Sequence, residues 1–140
     1  MSDPIANNEL ANLLHQLVAR MSRESDQILL EQLGIGLAQY KILTSLHESA
    51  KPQQRAIALQ LGQTEASISR QIKILEGKGM LVVSRNPENL REHRAQLTVK
   101  GLRVIEAAET SLKRYHRSVF ARLSKKQYGQ LQEIVQKLNP

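Results

Sequence analysis

Apolar residues recur at helical spacing through the first quarter of the chain. Leu10, Leu13, Leu14, Leu17, Val18, Met21, Ile28 and Leu29 predict one long helix over residues 8–33. Gly34-Ile35-Gly36 breaks it. The period resumes at Leu37, with Tyr40, Leu43, Leu46 and His47 on one side. Lys51-Pro52 stops this second helix near residue 48, because the residue before a proline is driven out of helical geometry. Two short helices are expected next, over 54–61 and 65–78, parted by Gly62. Beyond Gly79 the period changes. Residues 80–85 and 94–97 predict two strands, on either side of a polar loop spanning 86–93. Thr98 can then cap a long helix over 99–123 that carries Leu102, Ile105, Ala108, Leu112 and Val119. Ser124, with Gln127 three residues on, predicts a capping box at the head of a last helix. Its stripe of Leu131, Ile134, Val135 and Leu138 is expected to be buried.

This order defines a mostly α protein with a small β-hairpin wing. A winged helix-turn-helix over residues 34–100 is flanked by an N-terminal helix, residues 1–33, and by C-terminal helices, residues 101–140, in one structural unit. Residues 54–79 carry the informative motif. Two helices that approach closely need a small residue at the contact, and Ala58 supplies it. The tight turn between them needs a residue free to adopt positive φ, and Gly62 follows four positions later. Ile57, Leu61, Ile68, Ile72 and Leu75 are placed to lock the pair, Thr64 to cap the second helix and Gly79 to end it.

With Ile68, Ile72 and Leu75 inward, an advance of roughly 100° per residue puts Ala66, Ser69, Arg70 and Lys73 on the opposite face, with Ser67 at its edge. Small, hydroxylated and basic side chains suit a helix entering a DNA major groove about 12 Å wide. Arg70 is the candidate for a base or phosphate contact. Ser67, Ser69 and Lys73 are candidates to position the helix on phosphates, and Thr64 and Ala66 are grouped with them as DNA-binding candidates. The hairpin adds Arg91 in its loop, flanked by Arg85 and Arg94 in the strands. An arginine so presented can enter the narrow, electronegative minor groove.

Charge supports a polyanionic partner. The net charge of the 140 residues is +7, distributed as −3 over residues 1–33, +5 over 34–100 and +5 over 101–140. Aromatics are only 3% of the chain, too few for a platform that stacks single-stranded bases. There is no cysteine, which excludes disulfides, thiolate metal sites and thiol-based redox sensing. No Gly-rich phosphate loop, metal-ligand cluster, paired catalytic carboxylates or Ser/His/Asp arrangement is marked in the sequence, so neither an enzyme nor a cofactor is expected. His15, His47, His93 and His116 offer no pair at local metal-ligand spacing. Neither a signal peptide nor an apolar stretch of membrane-spanning length is visible, and the expected location is the cytoplasm. The competing reading is a winged-helix module that binds protein and not DNA. Its exposed positions should be neutral or acidic, and here they are basic.

The run LEGKGMLVVSR, the wing NPENLREHRAQ and the LTVKG that opens the long helix resemble the MarR family of winged-helix regulators, and the resemblance spans nearly the whole chain. It implies a homodimer whose N- and C-terminal helices intertwine as dimerisation helices and whose winged domains read a pseudo-palindromic DNA operator. Such a regulator is most often a repressor, released by a small phenolic or otherwise apolar effector. It also implies that Arg91 is the wing-tip arginine and that Ser67, Ser69 and Arg70 touch DNA. The implied effector pocket lies between the dimerisation helices and the winged domain, with His15, Tyr40 and His47 as candidate lining. Four positions depart from the pattern. Asn89 stands where an aspartate often anchors the wing arginine, Gln63 and Gln71 where apolar residues are common, and Ile74 where a basic residue is common.

Overall fold

The computed structural model describes residues 3–48 and 54–140, with Asn86 and residues 89–93 described by their backbone. Among the described residues, six helices and one hairpin follow in the order α1 (Pro4–Leu33), α2 (Leu37–Glu48), α3 (Gln54–Leu61), α4 (Glu65–Gly77), β1 (Leu81–Asn86), β2 (Asn89–Leu97), α5 (Val99–Phe120) and α6 (Lys125–Leu138). The proline expected to stop α2 lies outside the described residues.

Local chemistry sets the helix ends. Asp3 caps α1 by accepting the Ile5 N–H at 3.0 Å, with Pro4 at the first helical position. Gly34, at φ 69°, ends α1 in the left-handed conformation. Gly62 makes the turn between α3 and α4 at φ 64°. The end of α4 closes by two backbone bonds, from Met80 N–H to the Leu75 carbonyl at 3.0 Å and from Gly79 N–H to the Glu76 carbonyl at 2.9 Å, with Gly79 at φ 74°. That pairing satisfies the carbonyls the helix would otherwise leave open. Ser124 and Gln127 form the expected capping box on α6.

Thr98 joins the wing to α5. Its side chain accepts the Gly101 N–H at 3.1 Å and donates to the Gly79 carbonyl at 2.7 Å, so one hydroxyl caps α5 and ties it to the end of α4. Gly101 is needed for this approach: a Cβ there would lie 2.1 Å from the Met80 carbonyl oxygen.

One core lies among α2, α3, α4, the hairpin and α5, centred on Ile42, Leu43, Ile57, Ile68, Leu75 and Ile105. A smaller cluster of Leu29, Ala108 and Leu112 joins α1 to α5. Two further contacts fasten that pair of helices, Tyr115 donating to the Glu24 carboxylate and Ser111 to the Gln32 side chain. In α2 the buried side is Ile42, Leu43, Ser45 and Leu46, while His47 faces solvent.

Two expectations change. Residues 86–93 are not a loop: the strands turn at Pro87-Glu88 and β2 begins at Asn89. Polar side chains do not prevent pairing, because the ladder is made by backbone groups. The register passes from Arg85↔His93 to Asn86↔Asn89, so Leu90, Arg91 and Glu92 fall within an irregular step near the tip. The apolar stripe of α6 is not buried in the single chain either: Ile134 is 55% and Leu138 70% exposed. Along α1 the same holds for Leu10, Leu13, Leu14 and Val18. Helical period identifies an apolar face but not what covers it.

Replacement of Gly101 by alanine is expected to destabilise the fold by about 1–3 kcal/mol, because a backbone carbonyl blocks the new methyl group. Urea unfolding at fixed protein concentration checks this, and a midpoint equal to the parent's contradicts the close approach.

Candidate nucleic-acid interface

The two faces of α4 meet different surroundings. Ile68, Ile72 and Leu75 are buried on the inner face, and Ala66, Arg70 and Lys73 stand exposed on the outer one. Ser67 and Ser69 are half-buried at the margins. Thr64, grouped with the DNA-facing candidates, has a structural duty as well: its Oγ1 accepts the Ser67 N–H at 3.1 Å and caps the helix. The Ser67 hydroxyl donates to Gln63 Oε1 at 3.1 Å, so its side chain is directed back to the turn.

The first wing strand lies beside α4. Between them runs a groove of about 490 Å³ that brings together Ser69, Lys73 and Arg85, with Gln54, Glu76 and Val83 completing the wall. Glu76 fastens this arrangement, its Oε2 accepting the Val83 N–H at 3.0 Å. Glu76 was missed by sequence reasoning; it is one acidic residue on a solvated helix side, and only the position of β1 gives it a partner. The two flanking arginines separate. Arg94 pairs in register with Ser84, one step from the Arg85↔His93 pair, so the two stand on opposite faces of the hairpin. Arg85 is exposed and Arg94 half-buried. Arg91 lies in β2 near the tip, and its side chain lies outside what the structure describes.

A second concavity of about 640 Å³ opens between α1, α2 and α5. Val18, Met21, Leu37 and Leu112 give it an apolar wall, and Tyr40, Lys41, Lys113, Glu109 and His116 give it polar groups. Burial, followed by the nearby carboxylates of Glu109 and Glu48, raises the pKa of Tyr40 above the ordinary tyrosine value. At neutral pH its hydroxyl is therefore a donor. His15 and His47 are exposed and lie outside this lining. His116 is the histidine at the cavity; the local period could not reveal it, because the packing of α5 on α1 brings it there. Among the described residues no group of three or more His, Cys, Asp or Glu could hold a metal ion. No described helix is long and apolar enough to cross a membrane.

A helix that exposes Arg70 and Lys73 beside a β-hairpin, on long flanking helices, defines a winged helix-turn-helix protein. The MarR family model matches residues 35–93, the winged unit of this chain. A curated relative from Bacillus subtilis, the uncharacterised HTH-type transcriptional regulator YdgJ, is 26% identical over 105 residues, covering 75% of this chain. The aligned part spans 64% of that relative's length.

Solved structures share the fold. A mutant of MarR from E. coli superposes with a TM-score of 0.84 at 23% identity, covering 94% of this chain and 96% of that one. MepR from S. aureus in complex with DNA gives 0.75 at 23% identity, covering 91% and 94%. CouR from Rhodococcus jostii bound to p-coumaroyl-CoA gives 0.75 at 20% identity, covering 94% and 92%.

Replacing Glu76 with alanine is expected to release β1 from α4. Exchange of the Val83 amide hydrogen should quicken about tenfold to a hundredfold, the effect of losing one hydrogen bond to a charged acceptor. An unchanged Val83 rate would mean that another contact holds the wing.

Proposed function

We propose that this protein is a transcription regulator that binds a pseudo-palindromic duplex operator as a homodimer, and that it acts as a repressor released by a small-molecule effector. The observation that carries the reading is the divided surface of α4. Its apolar side is sealed in the core, which leaves Ala66, Arg70 and Lys73 outward on a rigid element. Arg85 joins them across the groove, and Arg91 lies near the wing tip. Arginine can pair in bidentate fashion with guanine, and lysine neutralises phosphate. The DNA complex of MepR supports this use of the shared fold.

The homodimer follows from the open apolar faces of α1 and α6. Leu13 is 61% exposed and Ile134 55%, on helices too apolar along one side to remain in water. A second copy brings the same faces in a self-complementary arrangement and holds two α4 helices at a fixed separation. Successive major grooves on one side of a duplex lie about 34–36 Å apart, which sets the spacing of half-sites.

The effector reading rests on the cavity between α1, α2 and α5. Its apolar wall, the donor hydroxyl of Tyr40 and the ammonium groups of Lys41 and Lys113 suit a small aromatic or phenolic anion. CouR, seen with p-coumaroyl-CoA, is a ligand-bound example of the fold. Against the competing protein-binding module stand the exposed cations Arg70 and Lys73 of α4 and Arg85 across the groove.

Two outcomes test the reading. Arg70→Ala and Arg91→Ala are each expected to weaken operator binding by about 1–3 kcal/mol, with affinity falling steeply as salt rises. Variants that bind like the parent in an anisotropy titration contradict the assignment. Leu13→Glu is expected to shift the protein from dimer to monomer in sedimentation and to abolish operator binding at the same concentration. A parent that sediments as a lone subunit contradicts the dimer.

A further inference from the structure

An amide bridge joins α2 to α4. Gln39 Nε2 donates to Gln71 Oε1 at 2.9 Å, and both side chains are half-buried. The other end of the Gln39 amide is engaged as well, since its Oε1 accepts the Gly36 N–H at 3.3 Å. Next to it, the Leu37 N–H donates to Asp26 Oδ1 at 2.9 Å. Asp26 thus holds a carboxylate from α1 against the positive end of α2, where the helix dipole favours it. The junction is tight: a Cβ on Gly36 would lie 2.7 Å from Asp26 Oδ1.

These contacts run without a gap from α1, through the first turn of α2, to α4. They arrive at an informative position. Gln71 directly follows Arg70 and precedes Lys73 by two residues, so any rotation of α4 that stretches the bridge re-aims both cations. Leu37, whose N–H Asp26 holds, also lines the cavity between α1, α2 and α5. The inner face of α4 is held by aliphatic packing through Ile68, Ile72 and Leu75, which keeps that face inward but tolerates small rotations about the helix axis. The Gln39–Gln71 hydrogen bond at the margin of that face adds a directional tie to α2, beside the one that Glu76 makes to β1.

We propose that Gln39 and Gln71 are positioning residues that set the rotation of α4 from the junction of α1 and α2, so that a shift at that junction reaches Arg70 and Lys73. The proposal rests on the DNA-binding reading given above and adds the route by which the flanking helix governs it.

The test is a double-mutant cycle on binding to a labelled duplex that the parent selects from a random library, with melting temperatures measured alongside. Gln71→Leu leaves the Gln39 amide without its partner, and it is expected to weaken binding about threefold to tenfold. Gln39→Leu with Gln71→Leu removes both amides together. It is expected to melt above the Gln71→Leu protein, because the Gln39 amide is no longer stranded even though the Gly36 N–H loses its acceptor, yet to keep the weaker binding. Asp26→Ala is expected to cost about fivefold in affinity in the parent and less than twofold in the Leu/Leu background, the signature of residues acting through one another. Equal costs in the two backgrounds overturn the proposal, as does parental affinity in the Leu/Leu protein. Should Asp26→Ala fail to fold, Asp26→Asn is compared in the same two backgrounds under the same criterion. A parent that selects no duplex overturns the DNA-binding reading itself, an outcome distinct from additivity in a parent that binds.

Discussion

Burial of one side of α4 is the constraint on which the rest of the structure depends. Ile68, Ile72 and Leu75 sit in a core that α2, α3, the first wing strand and α5 all help to build. Each of these residues stabilises the fold by about 1.5–3 kcal/mol relative to an exposed position. The helix therefore has little freedom to turn its other side inward, and Ala66, Arg70 and Lys73 stay in solvent. Every surrounding device serves that orientation. Gly62 allows the approach of α3, Thr64 satisfies the first turn, and Gly79 lets the chain leave at once for the wing. Thr98 and Gly101 then bring α5 against the exit of α4.

The wing is attached by a few polar contacts and a thin layer of apolar ones. Glu76 reaches the backbone of β1 at Val83, and Val83 and Ala95 pack on the core from neighbouring strands. That arrangement holds the base of the hairpin while the irregular step near Leu90–Glu92 shapes its far end. The helices at the two ends do a different job. They contribute little to the main core, present open apolar faces, and in the proposed dimer set the distance between the two copies of α4.

Much of this was legible in the residues. The helical period located α1, α2, α4 and α5 because each has one apolar side, and the caps at Thr64, Thr98 and Ser124 are local chemistry readable within four residues. The exposed face of α4 followed from the same period. What escaped was whatever depends on distant packing. The polar stretch 86–93 read as a loop because strand pairing there rests on backbone groups, which leave no mark in side-chain pattern. Arg85 and Arg94 looked like one basic finger until the register set them on opposite faces. His15 and His47 were chosen for the cavity from the first two helices, whereas His116 reaches it from α5. The Gln39–Gln71 bridge links positions 32 apart in sequence, and no local rule pairs two glutamines.

The central claim is that two α4 helices, each with its cationic side outward, are held at one separation by the terminal helices. Selection of bound duplexes from a random library, followed by sequencing, tests it most directly. The account predicts enriched sequences with two inverted half-sites whose centres lie about 10–10.5 base pairs apart, matching successive major grooves. Enrichment of a single unpaired half-site, or of half-sites at no constant spacing, would contradict it.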